Sequence, residues 1–578
     1  MSLNGAIQIG RTALTASQVG LQTAGNNLAN ATTPGYSRQV AYFSPASSQF
    51  LGNGITVGRG VTTDAIRRQV DAALQSRLYN GISDQSSAQH RAGVFSAVES
   101  TVGELSDNDL SSEMSSFFNV WSERANLTKS SSSVVQQGDK LAAMIRRQRE
   151  TLGELREQID GQLGAAVSRA DGLMAQIATL NGQISAAEVG GAEATTLRDQ
   201  RDNAIAQLAE LMDVNVVDRG REGVNVLVGS TPIVTGADSA GLTMRRETID
   251  GEVRVVVSTR ERPVDLVPES GQIGSMLATR TTAVDEMTAT LDRLSAQLIF
   301  QTNRLHSTGV NNPGLTSASG TLKVAVADRT LAMNDPANRT FSSLPFAAQT
   351  GGFTVTVKNP STGQTQTVRI DVDLDGLNAS GLPGTGDDTT IDDIRASLDG
   401  IDGLSATFTA DGRLSITADA GVEFAFSDDT SGVLAVAGVN SYFEGTDAST
   451  IAVRQDLKDD PSKLMTGRMV NGEFVENATA LAMSDLRAQK VGELGSVSIQ
   501  DFWRDRVQAH GIRTAAAISD AQATADVKQS LENQRAAVSG VSIDEESINL
   551  LSYQRQYQGA AKLISVADQM MDTLISLV

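Results

Sequence analysis

Ile7, Leu14, Leu21 and Leu28 recur every seven residues near the start of the chain. Leu3, Gly10, Ser17, Ala24 and Ala31 fall three residues after or four before them. This is a heptad with large apolar side chains at one seam position and mostly small ones at the other, and small seam residues let helices approach closely. The pattern predicts a helix from Leu3 to about Asn30. Thr32, Thr33 and the Pro34-Gly35 pair end it, because Pro restricts the residue before it and Gly permits a turn. The far end repeats the design. Leu550, Tyr557, Ile564, Met571 and Val578 share one heptad position, and Tyr553, Ala560, Ala567 and Leu574 share the other. Chain termini are usually polar and frayed; both of these read as helices made for burial.

Between the ends the period shifts. Residues 38–62 read as extended, with Gly, Pro and Ser punctuation, and residues 64–128 turn helical. From Lys140 to Ile184 apolar residues step by three or four, from Leu141 and Ile145 through Leu163 and Met174, with a skipped turn at Gln148; this predicts one or two long helices, stopped at Gly190-Gly191. A further helix covers 196–214, with Leu197, Ile205, Leu208 and Leu211 inward. The period then falls to two: VNVVDR, GVNVLVG, TPIVTG and EVRVVVS, within 214–258, read as short strands between Gly-rich turns. Helix returns from Ile273 to His306. Residues 350–438 form a mixed block in which FTVTVK and TQTVRID are strands, TIDDIRASLDG is a short helix, and SATFTADGRLSITA is a hairpin turning at Asp411-Gly412. Residues 441–470 read as a return linker, and from Thr479 the chain is helical again.

The predicted class is therefore mainly α with β insertions: terminal heptad helices and a long-helix bundle, with β-rich outer modules inserted mid-chain. The expected segments are an N-terminal helix (1–37), the first part of a helical bundle (38–213), a β-rich segment (214–270), a helix returning to the bundle (271–310), a β-rich outer domain (311–440), the second part of the bundle (441–540) and a C-terminal helix (541–578). A chain that leaves and returns in this way packs its early and late helices side by side.

Composition narrows the function. Of 578 residues, 47 are Lys or Arg and 68 are Asp or Glu, a net charge of −21 that repels nucleic acid and anionic membranes. From Ser2 to Ser37 the only charge is Arg11. A two-helix coil in water needs charged flanking positions, whereas this helix carries Gln, Thr, Asn and Gly there; that suits burial among several other helices. Cysteine is absent, which excludes disulfides, thiolate metal sites and cysteine catalysis. No run of about 18 apolar residues occurs, so no membrane-spanning helix is predicted. The opening is not read as a secretory signal, since it has neither a basic start nor a compact apolar block.

Candidate chemistry is sparse. His90, His306 and His510 stand apart, with no HExxH, and read as surface or helix-end residues. No Walker A sequence or GxSxG elbow is present, and GNGITVG (52–58) lacks the spacing of a dinucleotide loop. DVDLDG (371–376) matches the first half of an EF-hand loop, but the twelfth position is Leu382 instead of Glu, so an acidic strand-end turn is the better reading. Asp387-Asp388 reads as a solvated loop, and Asp392-Asp393 as the first turn of a helix, where negative charge suits the dipole. Trp121 and Trp503 read as packing anchors. No catalytic, metal or cofactor residue is expected, and no cofactor.

SQVGLQTAGNNLANATTPGYSRQ near the start and SINLLSYQRQYQGAAKLISVADQMMDTLISLV at the end resemble the terminal signatures of the bacterial flagellar axial proteins, the rod, hook and hook-associated families. LRDQRDNAIAQLAELM, GVNVLVGSTPIVTG, LDRLSAQLIFQTNRLHSTGV and GVNSYFEGTDASTIAV resemble the hook-associated branch. The resemblance implies a structural, non-enzymatic subunit of the hook–filament junction that stacks helically with its own copies. Implied partners are the hook protein, a second junction protein, an export chaperone and the type III export apparatus, with an extracellular destination. It also implies terminal helices that order only when neighbours supply a core. On this reading Ile7, Leu14, Leu21 and Leu28 pack against Leu550, Tyr557, Ile564, Met571 and Leu574 of the same or neighbouring subunits. Asn26, Asn27 and Asn30 fix helix register, and Pro34, Gly35 and Tyr36 turn the chain from the inner helix to the outer domains. The alternatives are a rod or hook protein, which the long helices disfavour, and an adhesin role of the exposed β modules.

Overall fold

The structure is a computed structural model that describes residues 3–50, 56–103, 109–249, 252–470 and 472–576. Val578 and most of GNGITVG lie outside them. The principal helices are α1 (Leu3–Ala29), α2 (Ala72–Val102), α3 (Leu110–Ala125), α4 (Ser131–Ala187), α5 (Thr195–Leu211), α6 (Gly271–Thr279), α7 (Glu286–Ser307), α8 (Ile391–Asp399), α9 (Ala478–Asp485), α10 (Ile499–Ser539) and α11 (Ile543–Ser576). The principal strands are β1 (Gln39–Pro45), β2 (Val61–Arg68), β3 (Asn215–Asp218), β4 (Val224–Val228), β5 (Thr231–Thr235), β6 (Leu242–Ile249), β7 (Glu252–Thr259), β8 (Gly351–Lys358), β9 (Thr365–Val372), β10 (Leu404–Phe408), β11 (Leu414–Ala418) and β12 (Glu423–Ser427). Two compact units are assembled from separated stretches. One comprises residues 1–94, 158–280 and 515–578, the other 95–157 and 281–514. The segments 38–213, 271–310 and 441–540 each contribute to both units, a partition that a linear reading does not reveal.

In the first unit α1 and α11 run side by side, and the β1–β2 hairpin pairs antiparallel with a bulge between Tyr42 and Phe43. Strands β3, β4 and β5 form consecutive antiparallel neighbours, with β4 alternating buried Val224, Val226 and Val228 against half-buried Asn225 and Leu227. That alternation is the period-two pattern of a sheet with one covered face. Strands β6 and β7 pair in a second sheet.

In the second unit β8 sits between β9 and β12, all antiparallel, over a core of Phe353, Val355, Phe424 and Phe426. The β10–β11 hairpin turns at Asp411-Gly412, where Gly412 takes a φ of +89°, a conformation that favours glycine. Helix α8 opens with a reciprocal capping box between Thr390 and Asp393.

Three sequence expectations change here. Helix α4 runs 57 residues without a break; Gln148, the skipped position, donates to the Val102 carbonyl at 3.1 Å and so occupies its slot as a polar packing residue. Residues 441–470 are not a linker. Tyr442, Phe443, Ile451, Val453 and Leu464 are buried, and short strands and a five-residue helix, Gln455–Asp459, stand there in place of a bundle helix. Their apolar residues follow no single period, which is why the pattern hid them. The histidines are not surface groups either: His306 and His510 are buried and His90 is half-buried.

His306 sits in an aromatic cluster, with its ring centroid 5.7 Å from that of Tyr442; Tyr442 in turn packs on Trp121 and Phe443. The Met465 N–H donates to His306 Nε2 at 3.1 Å, which leaves Nδ1 to donate to the Asn440 carbonyl at 2.7 Å. Both nitrogens are satisfied in the neutral ring. Burial lowers the pKa of His306 to about 4, against a partial upward pull from the Asn440 carbonyl. The unfolded chain therefore binds a proton that the folded chain refuses between pH 6.5 and 4. This contribution to stability is complete above pH 6.5 and is lost as pH falls toward 4. It amounts to roughly 3 kcal/mol at full depression. Denaturant unfolding of the wild type at pH 7 and pH 4 is expected to show that loss, and His306→Gln is expected to show a correspondingly flatter pH dependence. Equal pH dependence in both proteins would refute the assignment.

Candidate assembly interface

The two terminal helices meet along small residues. Gly10, Ser17 and Ala24, the small heptad position, are buried, together with Ala16, Gly20, Thr23 and Asn27. On α11 the buried positions are Glu546, Ala560 and Ala567, with Tyr553 half-buried between them. A Cβ on Gly10 would lie 2.6 Å from Ile564 Cγ1, and one on Gly20 would lie 2.6 Å from the Tyr553 ring. The partner numbers fall as those of α1 rise, so the helices are antiparallel. Ile564 and Tyr553 are knobs whose holes are the two missing side chains. Ser17 and Thr23 donate their hydroxyls to the Ala13 and Val19 carbonyls of their own helix, which allows polar residues to sit in the seam.

The large heptad position behaves differently. Ile7, Leu14, Leu21 and Leu28 are only half-buried, as are Leu550, Ile564 and Met571, while Tyr557 and Leu574 are exposed. The large residues stand beside the contact line, because a step of three residues turns a helix about 60° from the seam. The structure places Gly10 and Gly20 against Ile564 and Tyr553; of these four, the heptad reading had named only Ile564 as a contact.

The outer faces of the pair are distinctive. Asn4, Gln8, Thr15, Gln18, Gln22 and Asn26 line the exposed side of α1, with Arg11 the one charge among them. On α11, Ile548, Leu551, Leu563, Val566, Met570 and Leu574 are exposed, Ile548 at 67% and Met570 at 59%. At about 100° per residue Ile548, Leu551, Leu563, Val566 and Met570 fall on one face, shared with the exposed Arg555 and Lys562 and set roughly 100° around the helix from the stripe of Tyr553, Ala560 and Ala567, which Leu574 continues. Helix α11 is thus apolar on two sides, and α1 covers one.

The chain leaves α1 through a tightly bonded turn. Asn27 pairs with the Gln39 backbone in both directions: its Nδ2 donates to the Gln39 carbonyl at 2.8 Å, and its Oδ1 accepts from the Gln39 N–H at 2.9 Å. Tyr36 donates its hydroxyl to the same Oδ1 at 2.8 Å. Burial, with the nearby carboxylates of Asp199 and Glu546, pushes the Tyr36 pKa up to about 12. Gly35 takes a φ of +78°, and a Cβ there would strike the Asn203 side chain. Pro34 is exposed. Asn27 is thus engaged within its own chain; Asn26, though exposed, donates to the Tyr36 hydroxyl and to Gln39 Oε1 at 3.4 Å, and Asn30 bonds back to Asn26.

Charged residues that the apolar pattern could not flag hold this turn. Arg68 lies 2.8 Å from both Asp199 and Asp202, and Ser37 N–H donates to Asp199 at 3.4 Å. Burial raises the Asp199 pKa in spite of Arg68. Arg38 pairs with the buried Glu546 at 2.8 Å, and its N–H donates to the Ser539 carbonyl at 2.9 Å. The turn after α1 is therefore fastened to α5 and to the start of α11.

Comparison with known proteins points one way. Family models match three stretches: the flagellar hook-associated protein FlgK helical domain over 95–322, the flagellar basal body rod FlgEFG protein C-terminal region over 533–577, and the flagella basal body rod protein over 7–36. The chain is 25% identical over 582 residues to flagellar hook-associated protein 1 of Escherichia coli (strain K12), covering 98% of each chain. It is 24% identical over 584 residues to flagellar hook-associated protein 1 of Bacillus subtilis (strain 168), covering 99% of this chain and 97% of that one. A solved structure, the flagellar hook junction protein FlgK from Burkholderia pseudomallei, aligns with 80% of this chain and 100% of its own at 17% identity and a TM-score of 0.49.

The seam geometry makes a double-variant test possible. Gly20→Ile drives a branched side chain into the Tyr553 ring and is expected to destabilise the first unit by about 1–3 kcal/mol. Tyr553→Ala in the same chain empties that space and is expected to recover most of the loss. Denaturant unfolding with amide exchange over 3–29 and 543–576 reads both; additive losses in the double variant would show that the two residues do not meet.

Proposed function

The chain belongs to the flagellar hook-associated protein family, and from that membership we propose how it works as a structural component of the hook–filament junction. The rod-protein matches at 7–36 and 533–577 contain nearly all of α1 and α11, the helices that the flagellar axial proteins have in common. The observation that carries the mechanism is the second apolar face of α11. Ile548, Leu551, Leu563, Val566 and Met570 lie exposed on a helix whose neighbouring face already packs on α1, and Leu574 is exposed at the end of that packed stripe. Each such side chain contributes about 1.5–3 kcal/mol when fully buried, so covering the remaining exposed area along the stripe stabilises an assembly by several kcal/mol.

Copies of the chain stack helically, and the outer stripe of α11 is buried against neighbouring terminal helices. Because the copies stack helically, the contact is head-to-tail, and the stripe of one copy meets a different surface of the next. Amides along the exposed side of α1 supply both donors and acceptors to those neighbours without desolvating a charge. The hook protein and a second junction protein flank the ring. No chemistry is required of the subunit, which acts as a mechanical adaptor.

The route to that place follows from the same features. We infer export through the flagellar type III channel to the cell exterior, as a chain that no cysteine can cross-link on the way. An export chaperone covers the C-terminal helix until then, since its second apolar face would otherwise aggregate. No helix among the described residues is long and apolar enough to cross a membrane.

Val566→Asp combined with Met570→Asp separates assembly from folding. Both side chains are exposed, so the purified chain is expected to keep its helix content and to unfold within about 0.5 kcal/mol of the wild type. In cells that lack the wild-type chain, the double variant is expected to be absent from hook tips and to leave them without filaments. Normal incorporation, scored by labelling isolated hooks, would remove the stripe from the interface.

A further inference from the structure

We propose that Asp373, Asp375 and Asp388 form a calcium site in the β-rich part of the second unit. One carboxylate oxygen from each lies within 4.8 Å of the other two. That is the span across a single ion with ligands at about 2.4 Å. Three carboxylates crowded on a surface are common without an ion, and the argument rests on Asp388. Its side chain is only 4% exposed, so it is not the solvated loop residue that its acidic surroundings predict. Asp388 Oδ2 accepts from Asn334 Nδ2 at 2.7 Å and from Gly376 N–H at 3.2 Å. Asp388 Oδ1 is buried and has no hydrogen-bond partner. A buried carboxylate oxygen without a donor carries a large desolvation cost, and a bound cation offsets it.

The backbone holds the three residues in place. Asp373 N–H donates to Thr389 Oγ1 at 2.8 Å, and Thr389 N–H donates to the Asp373 carbonyl at 2.7 Å. These two bonds fix the start of the loop beside Asp388. Leu377 N–H donates to Asp375 Oδ1 at 2.8 Å, and Gly376 takes a φ of +69°, which bends the loop back toward the buried carboxylate. The arrangement is not an EF-hand. Asp371, the first residue of DVDLDG, turns away on β9 and pairs with Arg369 at 2.7 Å. The position at which an EF-hand carries its Glu is Leu382, and Asp388 supplies the distant carboxylate instead.

The donor set selects the ion. Only oxygen ligands are present, which disfavours zinc and the softer metals. Asp373 and Asp375 are exposed, so water can complete six to eight ligands around a calcium ion, while magnesium demands a tighter octahedron near 2.0–2.1 Å. A half-exposed three-carboxylate site of this kind falls in the weak class, with a dissociation constant on the order of 10⁻⁴–10⁻³ M.

The test is isothermal titration of the purified full chain with calcium chloride and, separately, magnesium chloride. It is paired with amide exchange over residues 372–389. One saturable calcium site is expected, with exchange in that segment slowed by calcium and unaffected by magnesium. Asp388→Asn keeps an acceptor for Asn334 and Gly376 and removes the charge; it is expected to weaken calcium binding at least tenfold. Asp373→Asn, at an exposed position that leaves folding intact, is expected to do the same and guards against misfolding of the first variant. No saturable binding up to about 10 mM, equal binding of magnesium, or unchanged affinity in Asp373→Asn would each overturn the site.

Discussion

The terminal helices can lie together only because two side chains are missing between them. Gly10 and Gly20 open the holes that Ile564 and Tyr553 fill, and a Cβ at either position would intrude to 2.6 Å. Each glycine weakens its own helix by about 1 kcal/mol relative to alanine. The packing of Ile564 and the Tyr553 ring must exceed that loss for α1 to remain on α11. Tyr553 also meets Phe43 of the β1–β2 hairpin edge-on at 6.3 Å, so the same ring joins the seam to the strand that follows it. If the helices stood further apart, the hairpin would lose its footing as well.

What comes after the seam depends on a single amide. Asn27 is the last fully buried residue of α1, and it binds both polar groups of the Gln39 backbone. This fixes where β1 begins relative to where α1 ends, with the Tyr36 hydroxyl as a third partner. The ion pairs around Arg38 and Arg68 then fasten the turn to α5 and α11. These pairs are largely buried, and removing one partner would leave an uncompensated charge behind. The result is a stiff exit from the terminal helices.

The sequence made the terminal helices legible because their heptads run long and uninterrupted, and the β insertions because short period-two runs alternate there with Gly-rich turns. It did not show which seam position is buried: a heptad marks two positions alike, and only the distance to the partner decides between large and small residues. Asn27 was legible as polar and helical, but not as the clasp on Gln39, since nothing local distinguishes it from Asn26 and Asn30. The buried residues of 441–470 escaped because their environment comes from α3 and α7 and carries no period of its own. His306 and Asp388 escaped for the same reason. Each is one residue placed by chain distant in sequence, His306 by Asn440 and Met465 and Asp388 by Asn334, so its chemistry belongs to the fold and not to a motif.

The distribution of charge completes the argument. The chain carries a net −21, yet residues 1–37 hold one arginine and residues 541–578 hold two cations against five carboxylates. Nearly all of the excess negative charge therefore lies between the terminal segments. In a helical assembly the terminal helices of many copies share one crowded space, where like charges at short range and low dielectric repel strongly. A helix that is nearly uncharged, as α1 is, can be brought beside its copies there at little electrostatic cost. A helix pair meant only to close on itself would have no reason to withhold charge from the outer face of α1. The amide stripe of α1 and the apolar stripe of α11 are accounted for together once both faces are buried by other copies.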